Sequence, residues 1–253
     1  MKSKQPSKGF VVVASKKPAF YYSALNLIES LLDYMPDARV TLFTEDRFKD
    51  ERAEELCEHV LPCGDHLREK MYGILNTPYD HTFYIDADCE IQHEDISKVF
   101  DFLPGNDMVF VKLMDDPVSK ASFVEKDFKG PDGNETLQLC GGVCLYDMTN
   151  PLVRDFMQDW NDIFRKQEDE GWVPEGYPKS ICRWDQFTLW WLTHKVDKYK
   201  DINIGEFDDN YRWNWFTNFR WHQDGPNKGK HRLVDDHPIV VHYSNAMNKE
   251  AVH

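Results

Sequence analysis

The sequence of 253 residues predicts an α/β protein in which helices cover both faces of a mostly parallel β-sheet. Short β-branched segments alternate with amphipathic helical segments over the first hundred residues. Strands in such a β-α-β-α-β order are joined by right-handed crossovers, which place helices on the faces of the sheet. No internal repeat or low-complexity linker interrupts the chain, so we expect a single domain over residues 1–253.

The predicted elements follow from local patterns. The first strand, at 9–14, is a β-branched run typical of a buried parallel strand, and a helix at about 20–35 has apolar residues every three or four positions. The other elements predicted in the first half are a strand at 39–43, helices at 46–59 and about 65–75, a strand at 82–85, a helix near 94–102 and a strand at 108–111. The second half is predicted to contain a loop at 115–135, a strand at 143–146, helices at about 152–167 and 183–194, an irregular aromatic stretch at 203–232 and a last strand at 238–242.

Composition excludes several classes of protein. The chain carries 30 Lys and Arg against 44 Asp and Glu, a net charge of −14, whereas nucleic-acid-binding proteins normally present a basic surface. Its longest apolar run, residues 10–14, is far shorter than the roughly 20 residues that span a bilayer. The six cysteines form no C-x-x-C pair, which favours reduced thiols. We therefore expect a cytoplasmic protein with no nucleic-acid partner and no membrane span.

The strongest local motif is Asp86-Ala87-Asp88, which directly follows the strand predicted at 82–85. Open α/β sheets bind ligands at the carboxyl ends of their strands, and residues i and i+2 of an extended chain point the same way. Both carboxylates can therefore bind one hard divalent cation. A solvated acidic turn is the ordinary alternative. Another is a haloacid-dehalogenase-type phosphatase, but there the motif usually opens the chain and continues with Thr or Val, whereas Cys89 follows here.

Four further features are weak when taken one at a time. His242 ends the last predicted strand, and an imidazole with two carboxylates suits Mn²⁺ among other cations. Lys70 lies on the helix before the D-x-D strand, where a lysine can hold a phosphate oxygen or is simply solvated. The others are two glycines entering a strand, Gly141 and Gly142, and a polar pair at a helix start, Asp185 and Gln186.

The order of these motifs along the chain is more specific than any one of them. The ordered set comprises Lys70, the D-x-D motif, Cys140-Gly141-Gly142-Val143, Trp184-Asp185-Gln186 and a strand ending in His242, with Lys249 seven residues later. This set resembles the glycogenin-like retaining glycosyltransferases of family 8, which have the GT-A fold. The resemblance covers nearly the whole chain. It implies a Rossmann-like domain with a nucleotide-binding half at about 9–112 and a sugar and acceptor half at about 113–253.

The resemblance also implies a function and a role for each motif residue. Enzymes of this kind transfer a hexose from a UDP-sugar with retention, so we expect a UDP-sugar donor, Mn²⁺ or Mg²⁺, and a glycan or small-molecule acceptor. The implied metal ligands are Asp86, Asp88 and His242. The implied donor-binding residues are Ala14, Ser15, Phe20 (on the uracil ring), Lys70, Asp86, Ala87, Asp88, Gly141, Gly142 and Lys249, and the implied catalytic residues are Lys70, Asp185 and Gln186.

Three positions depart from the family pattern. Cys140 replaces an Asn that donates toward the sugar, Cys182 replaces a carboxylate and Asn245 replaces a Gly. These departures bear on the identity of the sugar more than on the metal. The aromatic residues around Trp213 and Trp215 are a candidate acceptor platform or part of the core. A non-catalytic sugar-binding module that uses them is the alternative function outside catalysis.

Overall fold

The computed structural model describes residues 5–66, 68–113, 138–177, 179, 185–208, 210–216 and 238–243. The loop predicted at 115–135, the aromatic stretch after residue 216, and Cys182, Asn245 and Lys249 lie outside these residues. Within the described ranges, no helix combines the length and the apolar character needed to cross a membrane.

Strands and helices alternate along the chain. The strands are β1 Lys8–Ala14, β2 Val40–Thr44, β3 His59–Pro62, β4 His81–Asp86, β5 Cys89–Ile91, β6 Met108–Leu113, β7 Gln138–Asp147, β8 Ile204–Glu206, β9 Trp215–Phe216 and β10 Val240–His242. The α-helices are α1 Pro18–Tyr34, α2 Glu51–Leu56, α3 Lys70–Leu75, α4 Pro151–Glu170, α5 Asp185–Lys195 and α6 Asn210–Trp213. Short 3₁₀-helices cover Asp46–Phe48, Glu94–Phe102 and Asp197–Tyr199.

The central sheet has seven strands in the order β3-β2-β1-β4-β7-β6-β8. The neighbouring strands β3, β2, β1 and β4 are parallel, as are β6 and β8, whereas β7 runs antiparallel to both β4 and β6. The predicted mostly parallel α/β sheet is thereby confirmed. Because β1, β2 and β4 are parallel, the residues that follow them, including Ser15 and the D-x-D motif, lie at one edge of the sheet.

Helices pack on both faces of the sheet because β1 alternates its side chains between two hydrophobic clusters. Phe10, Val12 and Ala14 face the cluster that contains the buried residues of α1. Val11 and Val13 face the other cluster, which contains the buried apolar residues of α3 and α4. The sheet is therefore covered on both sides, and its carboxyl edge remains the place for a cleft.

A second, three-stranded sheet brings the end of the chain to this edge. Its order is β5-β10-β9, and β10 is antiparallel to β5. The pairing sets His242 directly opposite Cys89, the residue that follows the D-x-D motif. The last strand predicted at 238–242 thus forms over Val240–His242, outside the central sheet.

Three predicted boundaries are wrong, and the first has an identifiable cause. The helix predicted at 46–59 is divided, because the Asp50 side chain accepts from Ala53 N and starts α2, and the chain then extends into β3. The helix predicted at 65–75 begins only at Lys70. The strand predicted at 143–146 is part of the ten-residue β7. The glycine pair was predicted to precede this strand, but it lies within it.

The aromatic stretch contributes to the core at Trp213. This indole is 2% exposed and stacks on the ring of Phe207 with centroids 4.7 Å apart. Its role in an acceptor platform is therefore contradicted, because a sugar cannot reach a ring that core residues enclose. Trp215 is half-buried, and Phe219 and Trp221 lie outside the described residues.

Candidate functional site

A cleft of about 320 Å³ opens at the carboxyl edge of the parallel strands. Its lining contains many of the residues that the sequence singled out: Ser15, Phe20, Lys70, Asp86, Ala87, Asp88 and His242. Val13, Arg68, Glu69 and Tyr84 also line it. Residues from the first half of the chain and from its end therefore meet in one place.

The D-x-D motif presents its carboxylates from a strand end and a turn. Asp86 is the last residue of β4, and Tyr84 donates its hydroxyl hydrogen to Asp86 Oδ1 over 2.6 Å. Burial and the nearby Asp86 charge raise the pKa of Tyr84, so the phenol keeps its proton and remains a donor. Asp88 lies in the turn before β5, where its carbonyl accepts from Tyr243 N over 2.8 Å. These contacts hold both residues at the cleft.

His242 is buried beside Asp88. Its Nε2 lies 3.1 Å from Asp88 Oδ1. Burial lowers the pKa of His242, but the hydrogen bond and charge of Asp88 outweigh that effect, so the pKa is raised. Burial likewise raises the pKa of Asp88, and the hydrogen bond from His242 outweighs it, so that pKa is lowered. The pair is therefore held by mutual electrostatic attraction.

Asn214 is a site residue that the sequence analysis missed. Its Oδ1 lies 3.0 Å from His242 Nδ1, and its Nδ2 donates to Cys140 Sγ over 3.1 Å. An amide oxygen only accepts, so Nδ1 carries a proton in this contact and Nε2 is directed toward Asp88. Partners of this kind fix the orientation of a ligating imidazole. A single Asn within an aromatic stretch gives no signal of this role in the sequence.

Gly142 keeps the space between Asp86 and His242 free of a side chain. A Cβ on this residue would lie 2.5 Å from Asp86 Oδ2 and 3.2 Å from His242 Cε1. The Asp88 carboxylate does not border this space but lies 3.1 Å from the His242 imidazole. Among the described residues, the ligand atoms that lie within 4.8 Å of one another belong to Asp88, Cys89 and His242, and Asp86 is not in that group. Carboxylates and an imidazole are nevertheless the ligand types that suit a divalent cation such as Mn²⁺.

A buried cluster of charges lies next to this space. Lys70 Nζ forms an ion pair with Asp185 Oδ2 and donates to the Gly141 carbonyl over 3.2 Å, while Arg68 Nη1 lies 3.2 Å from Asp185 Oδ1. Burial lowers the pKa of Lys70, but the charges of Asp185 and Asp86 outweigh it and the pKa is raised. Burial raises the pKa of Asp185, but Lys70 and Arg68 outweigh it and the pKa is lowered. All three side chains are therefore charged at neutral pH.

Arg68 is a second cation that the sequence analysis missed. It precedes α3 by two residues, and its side chain is 32% exposed where it lines the cleft. The signal was present as a basic residue two positions before Lys70, but such residues are common on solvated surfaces. The contact with Asp185 distinguishes it from those.

Gln186 is bound to the backbone of β7. Its Oε1 accepts from Gly141 N over 3.2 Å, and its Nε2 donates to the Leu139 carbonyl. The structure therefore brings Asp185, Gln186 and the glycine pair together beside Lys70. Asp185 is 3% exposed and lies behind Lys70 and Arg68.

The opposite end of the cleft is built by the first strand and helix. Ala14 is buried in the core, and its carbonyl accepts from Thr44 Oγ1 over 2.8 Å. Ser15 donates its hydroxyl hydrogen to the His66 carbonyl over 2.5 Å, and Phe20 lies in the first turn of α1. Ser15 and Phe20 line the cleft, whereas Ala14 lies behind it.

Comparison with known proteins identifies the architecture. No family model and no curated protein matches the sequence. The solved structure of galactosyltransferase LgtC in complex with donor and acceptor sugar analogues has a TM-score of 0.57 and 15% identity, over 93% of this chain and 87% of LgtC. The chain has the GT-A fold. This confirms the predicted resemblance to GT-A glycosyltransferases at the level of the fold.

Two further GT-A structures differ in how much of their length the chain spans. Mouse xyloside xylosyltransferase 1 has a TM-score of 0.53 and 15% identity, over 95% of this chain and 99% of that protein. The glycosyltransferase GlyE of Streptococcus pneumoniae TIGR4 has a TM-score of 0.54 and 16% identity, over 93% of this chain but 55% of GlyE. The chain therefore spans about half the length of GlyE.

The buried ion pairs of Asp185 predict a pH-dependent stability. Asp185→Asn is expected to lower the free energy of unfolding at pH 7 by about 3 kcal/mol or more, because it leaves Lys70 and Arg68 without their counter-charge. The pKa of Asp185 is lower in the folded chain than the value of about 3.9 in an unfolded chain. Its stabilising contribution is therefore complete above about pH 4 and is lost as the pH falls further.

Urea unfolding of both proteins at pH 7 and at pH 3 measures this contribution. The difference between wild type and Asp185→Asn should shrink at pH 3. Asp101→Asn, at an exposed position, is the matched control and should differ from wild type by less than about 0.5 kcal/mol at pH 7. An equal Asp185→Asn difference at both pH values would contradict the assignment.

Proposed function

We propose that this protein is a metal-dependent retaining glycosyltransferase that moves a hexose from a UDP-sugar to a glycan or small-molecule acceptor. The observation that carries the proposal is the space beside Gly142, which Asp86 and His242 border at the carboxyl edge of a GT-A sheet. The similar solved structures are of glycosyltransferases, which supports the same class of reaction here.

Asp86, Asp88 and His242 are the residues that would hold Mn²⁺ or Mg²⁺ in this proposal. The cation would supply positive charge to the diphosphate and make it a better leaving group. Ser15 and Phe20 would then bind the nucleoside at the other end of the cleft, with the Phe20 ring against the base. The cleft of about 320 Å³ lies within the usual range for small-molecule sites, roughly 300–1,000 Å³.

Lys70 and Arg68 contribute fixed positive charge next to the metal ligands. Asp185 pairs with both, so neither side chain needs to reorganise when negative charge develops on the departing phosphate. The three side chains together carry one net positive charge. We propose that this charge stabilises the leaving nucleoside diphosphate, and that Lys249 contacts the same group.

We propose that the acceptor hydroxyl attacks on the face from which the phosphate leaves. Gln186 is an amide, which is a poor nucleophile, and Asp185 is engaged by two cations, so neither favours a covalent adduct. The bond from the sugar carbon to the phosphate oxygen breaks, the bond to the acceptor oxygen forms, and the acceptor proton passes to the phosphate. NMR of the product is expected to show retained anomeric configuration, and an inverted product would overturn this mechanism.

Binding of UDP is expected to require a divalent cation. A ligand that binds only the folded state adds about 2.7 kcal/mol of stability at 100 times its dissociation constant. Thermal unfolding with a panel of UDP-sugars should therefore show stabilisation that needs Mn²⁺. Asp86→Asn and Asp88→Asn should each abolish it, because each removes an anionic ligand at nearly constant volume, while Asp101→Asn should not.

Two further measurements, combined with this panel, separate the alternative functions. Phosphate release from simple esters with Mg²⁺ and without UDP would support a haloacid-dehalogenase-type phosphatase. Glycan affinity that persists in Asp86→Asn and Asp88→Asn would support a non-catalytic sugar-binding module. Either result, without Mn²⁺-dependent UDP binding, would overturn the glycosyltransferase proposal.

The adjacent glycines provide a matched pair of variants. Gly142→Ala should weaken Mn²⁺ binding at least tenfold, because its Cβ would displace the Asp86 carboxylate. Gly141→Ala adds the same methyl group, but its nearest neighbour is Lys70 Nζ at 3.3 Å, a contact that a small shift relieves. Mn²⁺ titration followed by electron paramagnetic resonance measures both. Equal losses in the two variants would count against a cation beside Gly142.

A further inference from the structure

Cys89 is a buried thiol beside the metal ligands that the proposed function does not use. It is 5% exposed and is the direct partner of His242 in the antiparallel pairing of β5 and β10. Its Sγ, a carboxylate oxygen of Asp88 and a ring nitrogen of His242 all lie within 4.8 Å of one another. Asp88 and His242 line the cleft, and Cys89 lies behind them.

This cluster differs from the set of Asp86, Asp88 and His242 in that a sulfur takes the place of one carboxylate oxygen. Thiolate and imidazole are preferred ligands of Zn²⁺, at about 2.0–2.3 Å in tetrahedral geometry with one position open to water. Mg²⁺ and Mn²⁺ prefer oxygen ligands in octahedral geometry. A cation bound through Cys89 would therefore be of a different class from one bound through Asp86.

We propose that Asp88, Cys89 and His242 form a site for a thiophilic cation, Zn²⁺ or Cd²⁺. The proposed function assigns Asp88 and His242 to Mn²⁺, and in that respect this inference rests on it: the two cations share two ligands and exclude each other. When the cation binds, a metal–sulfur bond forms, the S–H bond breaks and the proton leaves to solvent. No electron transfer is involved.

Cadmium titration of the full chain without nucleotide tests the site. Ultraviolet absorption detects the sulfur-to-cadmium charge-transfer band directly. We expect the band to saturate at one Cd²⁺ per chain in wild type and to disappear in Cys89→Ser and Cys89→Ala. Cys63→Ser is the matched control, because Cys63 is the more exposed thiol, and it should retain the band. A band that persists in both Cys89 variants, or its absence in wild type, would overturn the proposal.

Competition with Mn²⁺ gives an independent readout. Zn²⁺ should release bound Mn²⁺, seen by electron paramagnetic resonance, at a concentration at least tenfold lower in wild type than in Cys89→Ala. Retained Mn²⁺ binding in the variant shows that it is folded. Equal competition in both proteins would overturn the shared-ligand arrangement. Failure of the proposed function is a separate result, because a chain that binds no UDP with Mn²⁺ still shows the cadmium band if the thiophilic site exists.

Discussion

The close approach of β7 to the end of β4 is the constraint on which the site depends. At Gly142 the two strands leave room for no side chain, because a Cβ there would lie 2.5 Å from Asp86 Oδ2 and 3.2 Å from the His242 ring. The central sheet delivers Asp86, and the second sheet delivers His242. Because Gly142 has no side chain, Asp86 from the central sheet and His242 from the second sheet can both border the same small space.

The cleft at the carboxyl edge of the sheet contains basic side chains, although the chain as a whole is acidic. The chain carries a net charge of −14. The cleft nevertheless contains the charged side chains of Lys70 and Arg68, which both pair with Asp185, a residue that is 3% exposed. Removing charges from water is costly unless each is paired, and Lys70 is additionally satisfied by the Gly141 carbonyl. The cost of burial is thus offset inside the cluster, and the result is a rigid positive group beside acidic ligands. Rigidity of this kind is what stabilises charge that develops during a reaction.

Secondary structure could be predicted from the sequence where an apolar pattern repeats over many residues. Contacts between residues that are far apart in the chain could not. The β-branched run of β1 and the apolar stripe of α1 predicted the parallel half of the sheet, and the strand before Asp86 located the D-x-D motif. Strands β5 and β8 have three residues each, too few for a periodic signal. Asn214 and Arg68 have roles only through His242 and Asp185, which no local pattern reveals. The core position of Trp213 depends on Phe207 in the same way.

The contacts of Cys140 explain what this residue does in place of the Asn that the family resemblance implies. The expected Asn would bring an amide to this position, whereas the thiol accepts from the amide of Asn214, which in turn meets His242 Nδ1. Cys140 Sγ also lies 3.5 Å from the amide nitrogen of Gly142. The sulfur therefore contacts both the residue that orients the imidazole and the glycine that keeps the adjacent space open. A substitution at 140 would therefore change the contacts of Asn214 and Gly142, the two residues through which the sulfur borders the surroundings of His242.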